Sequence, residues 1–195
     1  MCSNNSKNLT YDTCRITRFD AHQGTYNCTI INSEVSAIEL IGGGTMRIEN
    51  TKIYKGIAGS NTNLCNLRDD YGSTWNGDLI IKDCTLVVHN PNSVSMIGVF
   101  GASWYNHYFG YQCYLFQNIT LDNFKIDTQG TQTISHVVLA RGSATLTGTS
   151  TSEKNPLIGV KTWNITNCEG LKFNIPDGDA FKQTKLIIEG EEQKK

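Results

Sequence analysis

Charge is scarce in this chain: Asp, Glu, Lys and Arg make up 18% of its 195 residues, against roughly 25% in an average globular protein. The formal net charge of −1 gives no electrostatic pull toward nucleic acid or an anionic membrane. No apolar run approaches the roughly 20 residues that span a bilayer. The opening Met1-Cys2-Ser3-Asn4-Asn5 has neither the basic nor the apolar region of a signal peptide, so nothing visible directs export. Helical periodicity is absent throughout, and only 3 prolines accompany 18 glycines. No CxxC pair occurs among the seven scattered cysteines, which argues against a zinc site. They read as reduced core residues, because free Cys packs as a small hydrophobe. Five Asn-x-Ser/Thr sequons, at Asn4, Asn8, Asn27, Asn118 and Asn164, carry no weight as glycosylation sites in a chain so rich in Asn and Thr. The expectation is a polar, weakly ionic all-β protein with no cofactor and no metal, made in a reducing cytoplasm.

What is present is a repeat. Ile30-Ile31-Asn32-Ser33-Glu34-Val35, Ile48-Glu49-Asn50-Thr51-Lys52-Ile53, Ile81-Lys82-Asp83-Cys84-Thr85-Leu86, Leu121-Asp122-Asn123-Phe124-Lys125-Ile126 and, with one insertion, Ile165-Thr166-Asn167-Cys168-Glu169-Gly170-Leu171 share one pattern. Positions two before, one after and three after the Asn or Asp stay small or apolar, while the two variable positions are mostly polar. That is a period-2 strand whose alternation resets at the marker. Such a reset is a corner, and Asn or Asp suits one because it tolerates the left-handed backbone region. Successive markers lie 18, 33, 40 and 44 residues apart, so loops of unequal length leave otherwise similar windings.

Each marker strand follows another extended stretch ending in glycine: Cys14 to Asp20, Ala37 to Ile41, Leu64 to Arg68, Ser95 to Phe100 and His136 to Arg141. Strand, glycine turn, strand and Asn corner make one winding. The fold class expected is a right-handed parallel β-helix of about five or six coils, a solenoid with long loops on one side. Residues 1–188 are read as a single module and 189–195 as a disordered polar tail. At roughly 4.8 Å per coil the rod is only about 25 to 30 Å long, and neither terminus reads as a cap for its open strand edges. A subunit of an oligomer, or a module of a longer protein, fits that length.

The strings Asn8-Leu9-Thr10-Tyr11-Asp12, Arg18-Phe19-Asp20-Ala21-His22-Gln23-Gly24, Leu40-Ile41-Gly42-Gly43-Gly44-Thr45, Leu67-Arg68-Asp69-Asp70-Tyr71-Gly72-Ser73-Thr74-Trp75 and Phe109-Gly110-Tyr111-Gln112-Cys113-Tyr114 resemble the right-handed parallel β-helix proteins of bacteriophages and prophages. Those are tail, pre-neck appendage or tailspike proteins within the pectin-lyase-like superfamily. The resemblance runs over roughly residues 8 to 175. It implies a virion component made in the host bacterial cytoplasm, commonly a homotrimer, which joins other tail proteins and contacts bacterial cell-surface polysaccharide, sometimes cutting it. Neither a virion-anchoring N-terminal region nor a self-cleaving C-terminal chaperone domain is recognisable.

Two sets of candidate residues follow. Hydrolysis of a glycan needs two carboxylates about 5 to 5.5 Å apart for retention or roughly 6.5 to 9.5 Å for inversion. Asp20, Glu39 and Asp69 or Asp70 all precede glycine turns of successive windings, with His22 and Arg68 able to orient a substrate. Their other reading is structural: strand-end Asp and Arg form satisfied ion pairs. The lyases of the superfamily bind calcium through clustered aspartates, and Asp69-Asp70 is too small a cluster for that. The second set is aromatic: Trp104, Tyr105, His107, Tyr108 and Tyr111, joined by Tyr71 and Trp75, form a candidate sugar-binding surface, or else pack over the core or between subunits. A structural, receptor-binding module and a polysaccharide hydrolase or lyase therefore both remain open.

Overall fold

The computed structural model describes residues 2–56, 58–68, 74–99, 113–130, 133–142 and 157–194. Sixteen strands join one curled sheet, and a separate pair links Cys113–Tyr114 to Leu157–Ile158. Among the described residues every pairing is parallel except one at the C-terminal end. Among the described residues the helical content is a single 3-10 turn, Asp179–Phe181.

The sheet bends into three strips. The first contains Lys7–Asp12, the later parts of Arg15–Ile31 and Glu34–Glu49, then Trp75–Lys82, Asn118–Asp122, Thr162–Thr166 and Lys185–Ile188. Register there is set by the alternating aliphatic residues. Tyr11, Ile30, Ile48, Ile81, Leu121, Ile165 and Ile188 are successive partners across the strands, as are Leu9, Cys28, Met46, Leu79, Ile119, Trp163 and Leu186. A one-residue slip would turn both columns toward water. Each buried Ile or Leu contributes roughly 1.5–3 kcal/mol by leaving it.

The second strip begins after the corner, with Ile16, Val35, Ile53, Leu86 and Ile126 in register. The third holds Asn61–Leu67, Ser93–Val99, His136–Gly142 and Lys172–Asn174, beside the middle parts of Arg15–Ile31 and Glu34–Glu49. The glycine turns expected at Gly24 and Gly42–Gly44 are instead bends within those two long strands. The ladder between them shifts register between Ala21 and Thr25 and again between Tyr26 and Cys28, where Asn27 Oδ1 accepts from Thr45 N–H at 2.8 Å.

The corner between the first and second strips is where backbone conformation is most demanding. Asn32, Asn50, Asp83, Asn123 and Asn167 have φ of 52, 45, 52, 48 and 55°, in the left-handed region that Asn and Asp tolerate. Thr13 and Glu189 adopt 55 and 50° although neither residue favours it. A neighbouring carbonyl imposes the geometry in both cases: Thr13 N–H donates to Ile31 O at 3.1 Å and Glu189 N–H to Ile165 O at 2.9 Å. Side-chain amides reinforce the corner, Asn32 Nδ2 donating to Asp12 at 2.9 Å, Asn50 to Asn32 at 2.8 Å and Asn123 to Asp83 at 2.7 Å.

The slot one residue past the marker has a role beyond filling space. Cys14, Ser33, Thr51, Cys84 and Cys168 each donate S–H or O–H to the carbonyl two residues earlier, at 3.2, 2.6, 2.8, 3.0 and 3.2 Å. Small side chains with one polar hydrogen therefore recur there. Phe124 is the exception and fills the slot with its ring alone. Cys28, Cys65, Cys84 and Cys168 are buried and unbridged.

Residues 189–194 differ from the disordered tail expected of their polarity. Glu189 and Gly190, with φ of 50 and 83°, form the two-residue turn that suits a hairpin. Glu191–Glu192 then runs antiparallel on Lys185–Ile188. Gln193 N–H donates to Leu186 O at 2.8 Å, and Lys185 pairs with Glu192 at 2.9 Å.

Candidate functional site

Register along the third strip brings residues from distant parts of the chain into one line. Asp20, Glu39, Asn66, Gly98 and Arg141 are successive cross-strand partners, spaced about 4.8 Å apart along the backbone. The inward neighbours Ala21, Leu40, Leu67 and Val99 are fully buried, so alternation turns the polar line outward.

Asp20 and Glu39 thus stand side by side, as the carboxylate reading of the sequence requires. Their engagements differ. Asp20 is 8% exposed; Arg68 Nη1 donates to both its oxygens at 2.8 and 2.9 Å, and Arg18 Nη2 lies 2.9 Å from Oδ2. Two guanidiniums hold this carboxylate, and Arg68 is itself anchored by its N–H to Leu40 O at 3.0 Å. Oxygens already accepting from both sides are poorly placed to attack a sugar carbon. His22 is half-buried two residues along the same strand and makes contacts of its own.

Glu39 terminates a directed chain of hydrogen bonds. Ser95 Oγ donates to Asn63 Oδ1, Asn63 Nδ2 donates to Asn66 Oδ1 at 3.2 Å, and Asn66 Nδ2 donates to Glu39 Oε1 at 2.9 Å. Donors aligned in one direction polarise one another. Gly98 makes room for this arrangement, since a Cβ there would run into the Asn63 and Asn66 amides. A second chain runs from Arg141 Nη2 to Ser93 Oγ, and from Ser93 to Asn61 Oδ1 at 2.8 Å.

Lys55 is a neighbour that the sequence did not single out. Burial lowers its ammonium pKa, against the opposing pull of Cys65 and Glu39. The signal was available, because Lys55 stands two residues after inward Ile53 and so shares its side of the strand.

The aromatic candidates divide. Trp75 is not a surface residue: it is fully buried, donates Nε1–H to Gly44 O at 2.9 Å and packs on Phe116 at 6.0 Å between ring centroids. Its cross-strand partner is Gly42, which presents no side chain to displace the indole. Asp69, Asp70, Tyr71, Trp104, Tyr105, His107, Tyr108 and Tyr111 lie outside the described residues. An aromatic that the sequence reading passed over is Tyr26, 48% exposed. Its ring crosses Gly43 and Gly44, where added Cβ atoms would meet ring carbons at 3.4 and 3.0 Å. Gly43 is buried beneath it.

Arginine forks, asparagine amides and the partly exposed Ser93 hydroxyl are group types that hydrogen-bond a polyhydroxylated ligand, whereas Ser95 is fully buried. A cavity of about 490 Å³ near the C-terminal end, lined by Phe173, Ile175, Pro176, Phe181 and Leu186, lacks that convergence of amides. No protein-family model, curated protein or solved structure matches this chain.

Proposed function

We propose that the chain is a right-handed parallel β-helix module of a bacteriophage tail or appendage protein, and that it binds bacterial cell-surface polysaccharide without cutting it. Parallel pairing between segments 18 to 44 residues apart, with one corner conformation repeated at each marker, supports the winding. Its right hand follows from the general chirality of parallel crossovers. The phage context rests on the resemblance of the strings around Asp20 and Asp70, and with it come the proposed homotrimer, the neighbouring virion proteins and a location in the virion.

The observation that carries binding is the outward line of Asp20, Glu39, Asn66 and Arg141 with its two hydrogen-bond chains. Binding is favoured over cleavage because Asp20 is clamped by Arg68 and Arg18. The test is incubation with host capsule or wall polysaccharide. Retention of the polysaccharide with no new reducing ends and no unsaturated products is expected. Release of products that disappears in Asp20→Asn or Glu39→Gln would establish a depolymerase instead.

A further inference from the structure

We infer that Lys55 is an imine-forming site, at which the amine captures a short-chain aldehyde in the cavity beside it. The inference goes beyond glycan binding and does not depend on it.

Lys55 stands where the fold elsewhere puts aliphatic side chains. It shares its side of the strand with Ile53, which is fully buried, and its cross-strand partner Val88 is buried too. A lysine in such a place is normally paired with an acid. Lys55 is half-buried, and its Nζ makes no hydrogen bond or ion pair among the described residues. Glu39, an acid within electrostatic reach, already accepts from Asn66. Nζ is nonetheless not sealed off, since it does not belong with the buried, unpartnered side-chain atoms of Thr62, Asn90, Arg141 and Trp163.

The open side is a cavity of about 410 Å³, whose wall Lys55 shares with Ser36, Tyr54, Val87, His89 and Gln129. Two hydroxyls and an imidazole on that wall are groups that hydrogen-bond a carbonyl oxygen, and Val87 offers apolar surface to a short alkyl chain. His89 is held there by Nδ1, 3.1 Å from Gln129 O. Desolvation lowers the Lys55 ammonium pKa, with Cys65 and Glu39 pulling the other way, so more of this amine is neutral near neutral pH than of an exposed lysine. A neutral amine in an open cavity is a nucleophile toward carbonyl carbon. Nζ adds to the aldehyde carbon as the C=O π bond opens, a proton passes from nitrogen to oxygen through solvent water, and the carbinolamine sheds water to leave C=N. Amine and aldehyde thus give imine and one water, with no change of oxidation state and no co-reactant.

The test is treatment of the full chain with propionaldehyde and cyanoborohydride at about pH 7, which traps the imine as a propylated lysine that peptide mass mapping follows against time. Lys55 should be modified at least about fivefold faster than Lys52, which is exposed on the same strand, and the two rates should converge in urea. Lys55→Arg should lose the fast adduct and leave the Lys52 rate unchanged. A Lys55 that reacts no faster than Lys52 in the folded parent chain overturns the site. So does a lead that persists in the unfolded chain.

Discussion

Asn50 donates its side-chain amide to Asn32 across adjacent strands at 2.8 Å, and both residues hold the left-handed backbone, at φ of 45 and 52°. One side-chain type thus satisfies two demands at the corner, the conformation and the lateral bond. Asn50→Gly should remove only the bond, costing about 1 kcal/mol. Asn50→Ala should cost about 1–3 kcal/mol, since it adds the steric penalty of a left-handed alanine. Urea unfolding of the two variants gives the order; an alanine variant as stable as the glycine one would show that the corner is not strained.

The slot after the corner makes a different demand. Because Ser33 and Thr51 make the same bond to the carbonyl two residues back that Cys84 makes, Cys84→Ser should stay within about 1.5 kcal/mol of the parent. Phe124→Ala leaves a void where the ring stood and should cost about 3–5 kcal/mol. Thermal melts of both variants test the contrast.

Alkaline pH should destabilise the fold. Burial raises the Cys65 thiol to about 12 and those of Cys28 and Cys84 to about 11, from an ordinary value near 9. A folded pKa above the unfolded one means stability that is complete below about pH 9 and is lost as pH climbs toward the folded values, by roughly 2 kcal/mol per thiol at about pH 10.5. Lys55 works the other way. Its lowered folded pKa makes stability rise with pH below about 10.5, because the unfolded chain binds the extra proton. Urea midpoints between pH 8 and 10.5 should therefore fall, and fall more steeply in Lys55→Met.

Trp75 should matter to stability and not to ligand. Trp75→Phe loses the bond to Gly44 O and part of a buried ring, a cost of about 1–3 kcal/mol. Polysaccharide retention per folded molecule should not change. Reduced retention in this variant, with the melting curve taken into account, would return the indole to the binding surface.

Asp20→Asn leaves Arg68 and Arg18 facing a neutral amide at a buried position. A loss of about 1–3 kcal/mol is expected, below the 3–5 of a fully buried pair because Arg18 is open to solvent. Glu39→Gln, which gives up an acceptor to one amide, should cost less. Denaturant midpoints of the two variants supply the comparison.

The markers were readable in the sequence because Asn and Asp are among the few side chains that accept a left-handed corner, and their aliphatic neighbours announce the alternation. Thr13 and Glu189 adopt the same conformation without any such signal, since there the adjacent strand dictates it. A second line of corner residues was equally hidden. Asn8, Asn27 and Gly44 have φ of 58, 56 and 72°, and Asn27 Nδ2 donates to Asn8 at 2.9 Å. Here the signal existed in the sequons: the Thr residues of those at Asn8, Asn27 and Asn118 fall in one register across the first strip. The adjacency of Asp20 and Glu39 could be anticipated from their common place before glycine. The Arg68 clamp could not be read so directly, because a partner 48 residues away is fixed by three-dimensional register alone.

Between Asn32 and Asn50 the chain spends 18 residues, and between Asp83 and Asn123 it spends 40, yet the flanking strands meet their neighbours in unbroken register. Excursion length is thus decoupled from the scaffold. Those segments can be lengthened, shortened or exchanged without disturbing the curled parallel sheet, whose register is held by a few corner amides and aliphatic columns.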